Sequence, residues 1–231
     1  MPDPEDPESA DMSPKIPDGA SGDVKKPLIS AETLLSKTGQ MEEQMLTLTE
    51  TGEQQETISL SDVRYFMMDD EVPISSLNAM LLNLLGMKKA GSGVDLQNGL
   101  ANIEGAAKEM EATGEGIHLL FLDHVFPQGA ADGQPAENFI KGLRLLQKGP
   151  NASPALKDLR TIVLYSGSMT TEDFVEIQKL APGFTILHLA KPPGKNAILQ
   201  ATAVNALKLA GIISRAEADE VLEKINTPTD F

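Results

Sequence analysis

Residues His118 to Pro127 read HLLFLDHVFP, and the place of the charge within them decides the fold. Leu119, Leu120, Phe121 and Leu122 are apolar at consecutive positions, which suits a strand buried on both faces, as in a parallel sheet layered between helices. The run ends on Asp123, so a carboxylate stands at the carboxyl end of a buried strand.

Working outward, the period changes repeatedly from Val63 onward. VRYFMM (63–68), TIVLYSG (161–167) and FTILHLA (184–190) read as further strands, with a short and poorly marked one expected around Val94–Leu96. Helical periodicity is expected over 74–87, with Leu77, Met80, Leu81, Leu84 and Leu85 toward the core. Further helices are expected over 101–110, 136–148, 171–181 and 195–211, and Gly86 with KKAGSG breaks the first one. This alternation predicts an α/β, doubly wound five-stranded parallel sheet with right-handed crossovers. In such sheets the functional groups gather beyond the carboxyl ends of the strands. Those ends carry Asp69-Asp70-Glu71, Asp123, Ser166-Gly167 and Lys191-Pro192.

Composition excludes several functions. The chain has 231 residues, a formal charge of −15, no cysteine and three histidines. Disulfides, thiolate catalysis and a histidine-rich metal site are therefore ruled out or disfavoured. The negative balance argues against DNA and for a basic or cationic partner. No apolar run approaches the roughly 18 residues of a membrane span, and the acidic start lacks the basic region of a signal peptide, so a cytoplasmic protein is expected. Residues 1–57 hold 13 acidic and 4 basic residues and are expected to be a largely disordered extension. Within it, Ser30 is a candidate N-cap for a weak helix carrying Leu34, Leu35, Met41, Met45 and Leu48. Residues 58–213 form the expected main domain, and 214–231 a last helix, capped by Ser214, with a tail.

Together, MMDDE after the first strand, LFLDHVFP with proline four residues after the aspartate, YSG at the fourth strand and LAKPP at the fifth resemble the receiver domain of bacterial two-component response regulators, over about Val63 to Gly211. The resemblance implies a flavodoxin-like fold in which Asp123 accepts a phosphoryl group from a histidine kinase or histidine phosphotransfer protein. It implies Mg²⁺ bound directly by Asp70 and mainly through water by Asp69, with Asp123 and the backbone carbonyl of Val125 also at the metal. Three neighbouring carboxylates repel one another unless a hard cation sits among them, which agrees with that set. Lys191 and Ser166 would contact the phosphoryl oxygens, and His188, three residues before Lys191, would be a switch residue moving with Ser166.

Simpler readings exist for each residue alone. Asp123 could be a cap or turn residue, and Asp69-Asp70-Glu71 the acidic first turn of the next helix. His118 and His188 read as strand residues and His124 as a loop residue beside the site. The loop after Pro127 and the segment GPNASPALKD are longer than the resemblance predicts, and Val125 places an apolar side chain where it could hinder an attacking water. A haloacid dehalogenase-type phosphatase would need an aspartate at position 125, and a phosphorylation-independent scaffold is the remaining alternative. After Gly211 too few residues follow for a DNA-binding or catalytic domain. The expected output is protein–protein contact with a downstream target, or a phosphorylation-dependent dimer.

Overall fold

The computed structural model describes residues 56–127, 135–150, 152–191 and 196–227. The expected helix over 30–48, most of the acidic extension, the loop over 128–134 and Pro192 lie outside the described residues.

Five strands, β1 (Arg64–Met68), β2 (Lys88–Gly93), β3 (Leu119–Asp123), β4 (Thr161–Ser166) and β5 (Thr185–Ala190), form one all-parallel sheet in the order β2-β1-β3-β4-β5. That order is the flavodoxin-like one. The helices are α1 (Val72–Leu84), α2 (Leu96–Glu111), α3 (Pro135–Lys148), α4 (Thr171–Leu180), α5 (Asn196–Leu209) and α6 (Arg215–Asn226).

Alternation along each strand divides the core in two. Tyr65, Met67, Leu119, Phe121, Val163 and Tyr165 pack with Leu81 and Leu82 of α1 and Leu199, Val204 and Leu207 of α5. Phe66, Met68, Leu120, Leu122, Ile162 and Leu164 pack on the other face with Ile103 of α2, Phe139, Ile140 and Leu143 of α3, and Ile177 of α4. Each such side chain contributes on the order of 1.5–3 kcal/mol when fully buried, and the three central strands are buried on both faces. Sheet and helices together make the doubly wound α/β fold that the sequence predicts.

Two expectations are corrected. The second strand is KKAGSG, not Val94–Leu96, and Val94 is exposed in the loop after it. This edge strand has glycines where most strands carry bulk, because α2 crosses it closely. A Cβ on Gly93 would meet the Cα of Gly99 at 2.4 Å and Sδ of Met68 at 2.6 Å. The α1 stripe is also different: Leu81 is buried and Leu85 partly so, but Leu77, Met80 and Leu84 are 46%, 53% and 72% exposed. The inward face of α1 is instead made of Ser75, Asn78, Ala79, Leu81 and Leu82. β1 ties to this helix through polar contacts: the single Tyr65 O–H is shared between Asn83 Oδ1 at 2.9 Å and the Ala79 carbonyl at 3.1 Å, and Ser75 Oγ lies 3.0 Å from Met67 Sδ.

Candidate functional site

Strand register assembles the site. Met68 pairs with Leu122, Asp123 with Tyr165, and Ser166 with Ala190, so Asp69, Asp123, Ser166 and Lys191 stand in a row at the carboxyl ends of four adjacent strands. Asp123, Ser166 and Lys191 border an open cleft of ≈580 Å³ together with Asp70, Glu71 and Val125.

Asp69 is 3% exposed, and its Oδ1 accepts the Glu71 amide at 2.9 Å. Asp123 is also buried, with Oδ1 accepting the Val125 amide at 3.3 Å. Lys191 Nζ lies between them, 3.1 and 3.2 Å from the two Asp69 oxygens and 3.0 Å from Asp123 Oδ2. A third carboxylate completes its surroundings, Glu71 Oε1 at 2.8 Å. The ammonium also stands 5.3 Å from the centre of the Tyr165 ring. Burial alone would lower the Lys191 pKa. The hydrogen bonds to Glu71, Asp123 and Asp69 outweigh it and hold the ammonium well above the ordinary lysine range. Burial pushes the Asp69 carboxyl up, opposed by the Glu71 amide and by Lys191.

Asp69, Asp70 and Asp123 bring carboxylate oxygens within 4.8 Å of one another. Asp70 is exposed and its carboxylate has no protein hydrogen-bond partner among the described residues, so the carboxylate oxygens are available to a ligand. An all-oxygen set of this spacing suits a hard divalent cation such as Mg²⁺. The alternative of an acidic first turn does not describe these residues: α1 begins at Val72, has no acid in its first turn, and Glu71 at its N-cap makes no side-chain cap.

The remaining candidates are also near. Ser166 is 2% exposed, its Oγ accepts the Ser168 amide at 3.3 Å, and its carbonyl accepts the Lys191 amide at 3.1 Å, which ties the ends of β4 and β5 together. His188 is exposed on β5, its ring centre 6.4 Å from that of Phe174 on α4. Val125 lines the cleft with a 57% exposed side chain. Sequence reasoning passed over Glu71 as a member of the site. Its adjacency to the aspartate pair was the available signal, but acids before a helix are too common to single one out.

No family model and no curated protein matches the chain. Among solved structures, 17% identity over 69% of this chain and 98% of the other, with a TM-score of 0.43, relates it to a CheY-like response regulator receiver domain protein from Methanospirillum hungatei. The signal receiver domain of a modulated diguanylate cyclase from Desulfovibrio desulfuricans is 16% identical over 64% of this chain and 94% of its own, with a TM-score of 0.43. NtrX from Brucella abortus is 22% identical over 69% of this chain and 30% of its own, with a TM-score of 0.45. The solved structures similar to this chain include several receiver domains of response regulators. The strand order, not these overlaps, is what defines the fold as flavodoxin-like.

Proposed function

We propose that this chain is a phosphoryl-accepting receiver of a two-component or phosphorelay system, with Asp123 as the acceptor. The observation that carries this reading is Lys191 Nζ held between two buried carboxylates at adjacent strand ends, Asp69 and Asp123, beside an exposed and unpartnered Asp70. A carboxylate oxygen of Asp123 attacks the phosphorus of a phosphohistidine or acyl phosphate. The bond to the leaving group breaks with its electron pair staying on that group, and an aspartyl phosphate forms.

Asp70 would hold Mg²⁺ directly, Asp69 mainly through water, with Asp123 and the Val125 carbonyl completing the protein ligands. When bound, the ion neutralises charge on the transferring oxygens. Lys191 contacts a phosphoryl oxygen as a point charge, and Ser166 donates its hydroxyl. His188 and Ser166, on the paired strands β5 and β4, form the element that a new charge at Asp123 biases. The partners are a histidine kinase or a histidine phosphotransfer protein and a downstream protein target, including a second copy of the chain, in the cytoplasm. No helix among the described residues is long and apolar enough to cross a membrane.

Incubation with acetyl phosphate and Mg²⁺, followed by intact-mass measurement, tests the reading. One added phosphoryl group is expected in the parent and none in Asp123→Ala. An adduct that persists in Asp123→Ala would move the acceptor elsewhere.

A further inference from the structure

Lys191 carries three N–H donors, and three carboxylates take them: Asp69, Asp123 and Glu71. A phosphoryl oxygen arriving at Asp123 can be met by this ammonium only if one of the three lets go. Asp69 and Asp123 are fixed at the ends of β1 and β3, with side chains 3% and 8% exposed and each bonded to a backbone amide. The Glu71 side chain is 54% exposed, yet it makes the shortest of the three contacts, 2.8 Å against 3.0 and 3.1 Å. Among the described residues it has no other hydrogen-bond or ion-pair partner for its carboxylate. It is the ligand that can withdraw into solvent, and in place it adds a negative charge at the mouth that an anionic phosphodonor must enter.

Resting on the receiver reading, we propose that Glu71 is a positioning residue that restrains phosphorylation: its carboxylate occupies the Lys191 ammonium in the resting protein and must be displaced by the incoming phosphoryl group. Glu71 thereby sets how readily the site accepts a small phosphodonor, and leaves the metal ligands unchanged. Two features are separable. The hydrogen bond to Lys191 needs the full length of the glutamate side chain, whereas the charge at the cleft mouth needs only a carboxylate.

The test uses the full chain and the variants Glu71→Gln and Glu71→Asp, whose side chain is exposed enough for substitution to leave the core untouched. Four quantities are measured: the Lys191 side-chain ¹⁵N ammonium signal without metal, Mg²⁺ affinity by calorimetry, and, in Mg²⁺, the affinity for beryllofluoride and the labelling rate by acetyl phosphate. Both variants should shift the Lys191 ammonium signal and speed its proton exchange severalfold. Mg²⁺ affinity should change less than about twofold in either. Labelling and beryllofluoride affinity should rise about fivefold or more in Glu71→Gln and by a smaller factor in Glu71→Asp, which keeps the charge but shortens the reach. A parent that labels and a Glu71→Gln that labels no faster would overturn this proposal while leaving the receiver reading intact. A tenfold loss of Mg²⁺ affinity in Glu71→Gln would overturn it by making Glu71 a metal ligand. A parent that accepts neither phosphoryl nor beryllofluoride would overturn both.

Discussion

At His118 a ring nitrogen stands in for a strand carbonyl. Its Nδ1 accepts the Arg64 amide at 3.0 Å while its own amide donates to the Arg64 carbonyl at 2.9 Å, so the starts of β1 and β3 are stitched through one side chain. Burial pushes its pKa below the ordinary 6.5 and Arg64 adds to this, with Asp158 and Asp62 pulling the other way. An unfolded chain therefore takes up the proton first, and the stability held here is full above about pH 6.5 and is lost as the pH falls below it. Exposed His188 is displaced in the same direction, so the comparison needs a variant. The urea midpoint should drop between pH 7.5 and 5.5 by more in the parent than in His118→Gln, whose amide oxygen can still accept from Arg64; parallel drops would contradict the assignment. The carboxylates make a second residue-level contrast. Asp69 already accepts from Lys191 and the Glu71 amide, while exposed Asp70 has spare oxygens. Calorimetry should find Mg²⁺ affinity reduced tenfold or more in Asp70→Asn and less in Asp69→Asn, with equal losses speaking against direct binding by Asp70. Asp123, Ser166 and Lys191 were readable as neighbours in the sequence because each closes a strand-like run, and parallel register aligns such ends. Glu71 was not, because its significance depends on where the Lys191 side chain reaches.

The elements differ in how openly the sequence declares them, and β2 with α2 shows why. KKAGSG has no β-branched or aromatic residue, so nothing in its composition marks a strand; its small residues record the close passage of α2. A Cβ at Gly99 would lie 2.3 Å from Met68 Sδ, whereas one at Gly105 on the same helix meets nothing within 4 Å. Gly99→Ala should cost about 1–3 kcal/mol by overpacking. Gly105→Ala should stabilise by about 0.5–1 kcal/mol through helix propensity. Denaturation curves of the two variants check the pair, and a neutral Gly99→Ala would mean that α2 and β2 part easily. In α1 the difficulty is the opposite one. Apolar residues fall on both sides of the helix, Leu77, Met80 and Leu84 outward and Leu81 and Leu82 inward, so periodicity defines no single face. The buried strands β1, β3 and β4 were plain because a central parallel strand is apolar on both sides, and few other local structures need that.

Over the molecule as a whole, α6 binds the beginning of the main domain to its end. Ser214 caps the helix by accepting the Glu217 amide at 3.2 Å, as its place in the sequence predicts, and Val221, Leu222 and Ile225 pack against the α1–α5 side of the core. Glu217 Oε1 accepts the Leu60 amide at 2.8 Å and the Ser59 hydroxyl at 3.1 Å. At roughly 1 kcal/mol for each partly buried apolar side chain, a chain ending at Ile213 should lose about 3 kcal/mol in urea denaturation. It should still gain a phosphoryl group, since among the described residues none that lines the cleft lies beyond Lys191. Loss of labelling in a truncated chain that stays folded would tie α6 to the site. The joining of Asp69 to Lys191 across 122 positions has a consequence for biogenesis. A chain emerging from the ribosome completes β1, β3 and β4, with their two buried aspartates, before it has made the ammonium that balances them. β5 closes the sheet and delivers that cation in one act, so a chain that stops short of Lys191 has two strand-end carboxylates and no ammonium between them. The last edge of the sheet and the charge balance of the cleft thus arrive together, late in synthesis.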